Sequence, residues 1–177
     1  IEGKDNLYLA TGDLALIWKD NLYFAGRIKD VIIIRGRNYY PQDIELELSK
    51  IEELRVGCIM AYATEVNDSS EYLAVSVEVK PQLIENMDFF FKYVLNLIDK
   101  KITETIGKHF QIVATERLYL KPGTIIKTSS GKIKHQRNRR IFAEKTFQGL
   151  ITRISEKNDI SDVKSTTKDY VEEEICR

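Results

Sequence analysis

The sequence predicts an α+β domain, a small, mostly antiparallel sheet flanked by helices. Three observations predict it. Short β-rich runs outnumber helical ones, the patterns follow the order β-β-β-α-β-β-α-β-α, and no segment repeats. With 177 residues, 43% hydrophobic and 31% charged, the chain suits one ordinary domain or two small ones.

The first elements lie close together. Leu14 to Trp18 and Leu22 to Phe24 flank Lys19-Asp20-Asn21, a turn in which Asp and Asn satisfy local backbone groups, so they read as a hairpin. Gly26-Arg27-Ile28-Lys29-Asp30 interrupts the hydrophobic pattern as a candidate domain boundary. The β-branched run Val31 to Ile34 then reads as a strand covered on both faces, with Gly36 as a turn residue. Pro41 suits the first turn of a helix over 41–50, whose Ile44, Leu48 and Ile51 form one stripe and whose acids lie near its start.

Strands are expected at 56–64 and 72–79, joined by a polar loop at 65–71. In the second, Tyr72, Ala74, Ser76 and Glu78 alternate with Leu73, Val75, Val77 and Val79. Apolar residues at 90, 91, 94, 95, 98, 102 and 106 predict a five-turn helix from Asp88 to about Gly107. A strand over 112–121, a loop through Ser129-Ser130-Gly131 and a helix over 136–147 follow. The remainder is polar and reads as a linker or tail.

No apolar run approaches the roughly 20 residues that span a bilayer, which makes a cytoplasmic protein the default expectation. Ile1-Glu2-Gly3-Lys4-Asp5 has neither an initiator Met nor a signal segment, and reads as the start of a fragment. Cys58 and Cys176 are too few for a disulfide framework and read as reduced bystanders. The zero net charge hides an asymmetry: residues 121–145 carry 8 basic and 1 acidic side chains, whereas 1–120 carry 14 and 19. The basic block favours a nearby anion.

Three segments join a special backbone to a specific charge. Thr11-Gly12-Asp13 offers a carboxylate that either accepts two neighbouring hydroxyls, as on a ribose, or simply caps a turn. Gly26 to Asp30, with Arg35-Gly36-Arg37-Asn38 beyond, reads as a hinge beside an arginine fork or as a solvated surface loop. Lys121 to Lys134 places Lys132 on a Gly/Ser loop. That lysine either swings into a phosphate site or belongs to an exposed basic face. A phosphate-cradling P-loop is excluded, because seven residues separate Gly123 from Gly131 and Ile133 stands where Ser or Thr should bind magnesium. Nucleic-acid binding by the six Lys/Arg of 127–140 is the disfavoured reading, since no aromatic residues interleave with them. His109 reads as a capping or surface residue.

In this order and spacing, the three segments resemble the C-terminal part of the adenylate-forming ligases: acyl-CoA synthetases, peptide-synthetase adenylation domains and luciferases. Tyr8 to Asp13 is similar to the family's ribose-binding motif, Gly26 to Asp30 to its hinge motif, and Thr128 to Ile133 to its catalytic-lysine motif. The stretch Gly26 to Glu45 resembles the fatty acyl-AMP ligase branch. The resemblance implies that residues 1–26 end a larger N-terminal adenylation domain, with its hairpin, 27–30 are the hinge, 31–147 the lid and 148–177 a linker or tail.

It further implies that Asp13 holds the ribose of ATP or AMP with Arg27 as a second contact, that Lys29 is the hinge residue, and that Lys132 is catalytic. Gly36, Arg37 and Asn38 would face an incoming thiol. The substrates implied are a fatty acid and ATP, with Mg2+ held by the N-terminal domain. The acceptor implied is an acyl carrier protein, with a long-chain fatty acid-CoA ligase as the alternative. Two residues depart from the family pattern: Ala10 replaces an Arg before Thr-Gly-Asp, and His135 stands where Arg is usual after Gly-Lys-Ile-x.

Overall fold

The computed structural model describes residues 10–65 and 71–155. It opens with strands β1 (Asp13–Trp18) and β2 (Asn21–Arg27), which form a two-stranded antiparallel ribbon. Its loop contains two residues, Lys19 and Asp20, with φ of 48° and 60°, as a primed hairpin turn requires. A 3-10 turn, Ile28–Asp30, leads into a second ribbon, β3 (Ile32–Ile34) with β4 (Arg37–Tyr39). Strand β4 was not expected from the sequence, since its three residues, Arg37-Asn38-Tyr39, carry no apolar pattern.

The expectation that the Val31–Ile34 run is covered on both faces is corrected. Ile32 is fully buried but Ile33 is 50% exposed, because among the described residues the run forms a two-stranded ribbon with β4 and turns one face outward. Helix α1 (Pro41–Leu48) starts on its proline and buries Ile44 and Leu48, as its stripe predicts.

The main sheet has the order β5-β6-β7-β8, from β5 (Leu54–Glu65), β6 (Glu71–Val79), β7 (Ala114–Leu120) and β8 (Leu150–Ser155). Among the described strands of this sheet, only β6 and β7 run parallel. The connection between them is a continuous helix: α2 (Met87–Phe89), a π turn (Phe90–Val94) and α3 (Leu95–Phe110). Gln111, in the left-handed region at φ 58°, ends it and returns its N–H to Gly107 O. Helix α4 (His135–Ala143) is shorter than the expected 136–147.

Strand β8 corrects the reading of residues 148–177 as linker from their start. Its Ile151 and Ile154 pack on the core, Arg153 pairs with Glu116 at 2.9 Å, and Gly149 reaches Thr124 so closely that a Cβ would lie 2.2 Å from its hydroxyl. Those contacts are distant in sequence, so local polarity concealed the strand. The remaining tail and Cys176 lie outside the described residues, as do Tyr8 and Leu9.

Two apolar clusters cover the two faces of the sheet, and the period of two in β5 sorts residues between them. Ile59, Ala61 and Ala63 face α1 and α3, where Phe90, Ile98, Ile102 and Ile106 are fully buried. Cys58, Met60 and Tyr62 face α4, with Leu118, Leu120 and Phe142. Burying each large side chain of this kind contributes roughly 1.5–3 kcal/mol. The polar alternation of β6 therefore does not mark a solvated face, because Ser76 is buried against the Tyr62 hydroxyl and Glu78 against Arg55 and the Ile125 amide.

Candidate functional site

Asp13 opens β1 opposite Arg27 at the end of β2, so the hairpin register itself brings the pair together. Arg27 Nε donates to Asp13 Oδ1 at 3.1 Å, and the Asp13 N–H donates to Thr11 Oγ1 at 3.2 Å. Among the described residues the other carboxylate oxygen has no partner, and the Arg27 side chain is 61% exposed, so both can meet a ligand. The backbone then closes on itself, as Ile28 N–H donates to Gly12 O at 2.9 Å. Gly26 is buried at φ 141°, and a Cβ there would press on Tyr40 at 3.3 Å, so only glycine lets the chain pass into the hinge turn. Lys29 is exposed in that turn. The turn Arg35-Gly36, with both φ values positive, projects Gly36, Arg37 and Asn38 from the second ribbon into solvent.

Lys132 sits on a small closed loop. Lys127 bridges Ile133, Thr128 N–H donates to Lys132 O at 2.8 Å, and Lys132 N–H donates to Thr128 Oγ1 at 3.0 Å. Two fully desolvated side chains brace the root of the loop, and sequence reasoning missed both. Asn138 on α4 accepts the Ile126 N–H at 2.9 Å and donates to Ile126 O and Lys134 O at 2.8 and 3.1 Å. Glu78 on β6 accepts the Ile125 N–H at 2.7 Å with one oxygen and pairs with Arg55 through the other. The available signals were an acid in an otherwise apolar strand and a short amide inside a basic helix. The loop thus presents an exposed ammonium on a rigid base.

Lys132 makes no hydrogen bond or ion pair with Asp13, Arg27 or Lys29 among the described residues, so these positions form separate clusters here. Also among the described residues, no three His, Cys, Asp or Glu side chains converge as a metal set, and no helix is long and apolar enough to cross a membrane. His109, at the end of α3, lies 3.7 Å from Glu47 on the surface. Cys58 is a free, buried thiol.

One further polar group meets the hinge side of the domain. Glu45 of α1 is mostly buried, and that burial pushes its carboxyl up to about 8 despite the hydrogen bond from Ala61; the Asp30 charge adds to the rise. His135 is drawn below its ordinary value by burial, with Asp30 opposing.

No family model matches the chain. It is 36% identical over 154 residues to the medium-chain-fatty-acid acyl-carrier-protein ligase JamA of Moorena producens, a match covering 86% of this chain and 25% of that protein. It is 35% identical over 127 residues to the putative fatty-acid-CoA ligase fadD21 of Mycobacterium leprae, covering 72% of this chain and 21% of that one. A solved structure from work on the fatty acyl-adenylate ligases of E. coli and L. pneumophila superposes with a TM-score of 0.61 at 30% identity, over 77% of this chain and 23% of that chain. The chain therefore spans about a quarter of the length of the curated relatives it matches.

Proposed function

Because the chain belongs to the adenylate-forming, acyl-activating ligases and fits their C-terminal lid portion, we propose that it serves an enzyme that activates a fatty acid with ATP and passes the acyl group to an acyl carrier protein. A carboxylate oxygen of the fatty acid attacks the α-phosphorus of ATP, the bond to the β-phosphate oxygen breaks, and pyrophosphate leaves. The acyl-adenylate then meets a thiol, whose sulfur takes the acyl carbon as AMP departs.

In this reading Asp13 accepts the ribose hydroxyls and Arg27 supplies a fork to the nucleotide. Lys132 places a point charge against the phosphoryl oxygens, where negative charge develops. The larger domain supplies the acyl site and any Mg2+. The chain rotates about Lys29 between the two steps, withdrawing Lys132 and turning Gly36, Arg37 and Asn38 toward the thiol. The observation that carries the proposal is the geometry of Lys132: an exposed ammonium on a loop fastened by buried Asn138 and Glu78. A charge delivered by a moving body is useful only if its stalk does not bend.

A CoA ligase is the second reading, favoured by the name of the mycobacterial relative. Efficient acyl-CoA formation by the complete enzyme would select it over the carrier-protein reading. The isolated chain is expected neither to bind ATP tightly nor to turn over. The central test is Lys132→Ala in the complete enzyme. ATP-pyrophosphate exchange is expected to fall by about 10²–10³ while transfer from preformed acyl-AMP is largely kept. Equal losses in both assays would make Lys132 structural.

A further inference from the structure

Helix α4 begins three residues after Lys132, and its first residue faces a buried acid. Glu45 of α1 accepts the Ala61 N–H of β5 at 3.0 Å through Oε1, and the same oxygen lies 3.7 Å from His135 Nδ1. The two side chains are only 17% and 22% exposed. His135 also lines a cavity of about 30 Å³, whose wall includes Lys29 and Asp30 of the hinge turn, Tyr62 of β5 and Arg139 of α4. A space of that size has room for water beside the His135 ring. The separation of Glu45 from His135 is a small side-chain rotation from a hydrogen bond.

We infer that Glu45 and His135 are positioning residues that hold one proton between them, and that this proton sets how the hinge turn and the base of the Lys132 loop sit against α1. Burial favours the uncharged form of each group, which leaves a neutral carboxyl beside a neutral imidazole near pH 7. Removing the proton leaves a desolvated carboxylate confronting Asp30. Adding a second leaves a desolvated imidazolium beside a neutral carboxyl. Lys29 and Arg139 are the cations that line the same cavity, and Tyr62, whose hydroxyl is pushed up to about 12 by burial, stays neutral throughout. An arginine at position 135 would carry a fixed charge, whereas histidine makes the contact titratable.

The Glu45 carboxyl holds its proton more tightly in the folded chain than at its ordinary 4.5. Its contribution to stability is therefore complete below that pH and is lost as pH rises toward 8.

Only the catalytic consequence rests on the proposed ligase function, so the test has two arms. In the full chain, NMR titration from about pH 5 to 9.5 follows the Glu45 carboxyl carbon, the His135 ring and the amides of Ile126 to Lys134. The expected result is a Glu45 midpoint near 8, with loop amides that move at that midpoint and cease to do so in Glu45→Gln. His135→Arg, the second variant, should return the Glu45 midpoint toward the ordinary carboxylate range. A Glu45 midpoint near 4.5, or loop amides indifferent to it, overturns the inference. In the complete enzyme, pyrophosphate exchange should fall about tenfold per pH unit beyond the midpoint, and Glu45→Gln should remove that fall. An alkaline fall that survives Glu45→Gln overturns the positioning role. Absence of exchange in the unaltered enzyme at every pH would instead sink the ligase reading and leave the NMR result to judge the shared proton.

Discussion

The hairpin β1–β2 and the four-stranded sheet are both antiparallel-rich and both apolar, yet only one owns a core. Leu16, Ile17, Trp18, Leu22, Tyr23 and Phe24 of the hairpin are 45–75% exposed, whereas Leu73, Val75, Val77 and Val79 of β6 are at most 1% exposed. The proposed charges divide in the same way. Asp13 and Arg27 stand on a ribbon held by its own ladder and one surface ion pair, while Lys132 stands on a loop anchored in the interior of the sheet. An apolar surface of that extent is suited to being covered by other protein. The difference teaches that the lysine is built to keep its shape by itself, and that the nucleotide-facing pair depends on what covers the ribbon.

The largest expected effect tests the ownership of the core. Phe90→Ala should destabilise the chain by about 3–5 kcal/mol in chemical denaturation, while Trp18→Ser should change it by less than about 0.5 kcal/mol and improve solubility. A loss of several kcal/mol from Trp18→Ser would break the comparison, because the hairpin would then own packing that its exposure denies.

Next in size is the anchor of the lysine loop. Asn138→Ala leaves the Ile126 N–H without its acceptor and should destabilise by about 1–3 kcal/mol. It should also speed amide hydrogen exchange at Ile126 and Lys134, while Phe90 and its neighbours keep their protection. Uniform acceleration across the sheet would mean that Asn138 supports the fold at large and not the loop. The smallest effect belongs to the ion pair. Arg27→Ala should shift stability by at most about 1 kcal/mol, as expected of a pair with one partner 61% exposed, yet raise the KM for ATP in the complete enzyme. An unchanged KM would remove Arg27 from the nucleotide site.

Local chemistry was readable wherever neighbours in sequence decide the outcome. Lys19-Asp20 and Arg35-Gly36 sit in turns, Pro41 starts α1, and Phe90, Val94, Ile98, Ile102 and Ile106 of the stripe are buried at helical spacing, although Phe91 is 44% exposed. Asp13, Lys29 and Lys132 stood out because each charge is joined to a glycine-bearing segment. Periodicity reports which side chains share a face, but not what covers that face. For that reason the β-branched run Val31–Ile34 reads as covered on both sides, whereas its ribbon with β4 leaves Ile33 half exposed.

By itself, then, the sequence determined the α+β class, most of its elements and the charged residues on which the proposed chemistry turns. Tertiary structure alone decided that β8 joins β7, that Ser76 and Glu78 are buried, and that Asn138 and Glu78 seize consecutive amides of the lysine loop. It also decided that Glu45 and His135, ninety residues apart, meet beside the hinge. The reason is the same in each case. A buried polar group must find a partner wherever the folded chain offers one, and that partner is set by three-dimensional proximity, which no local pattern encodes.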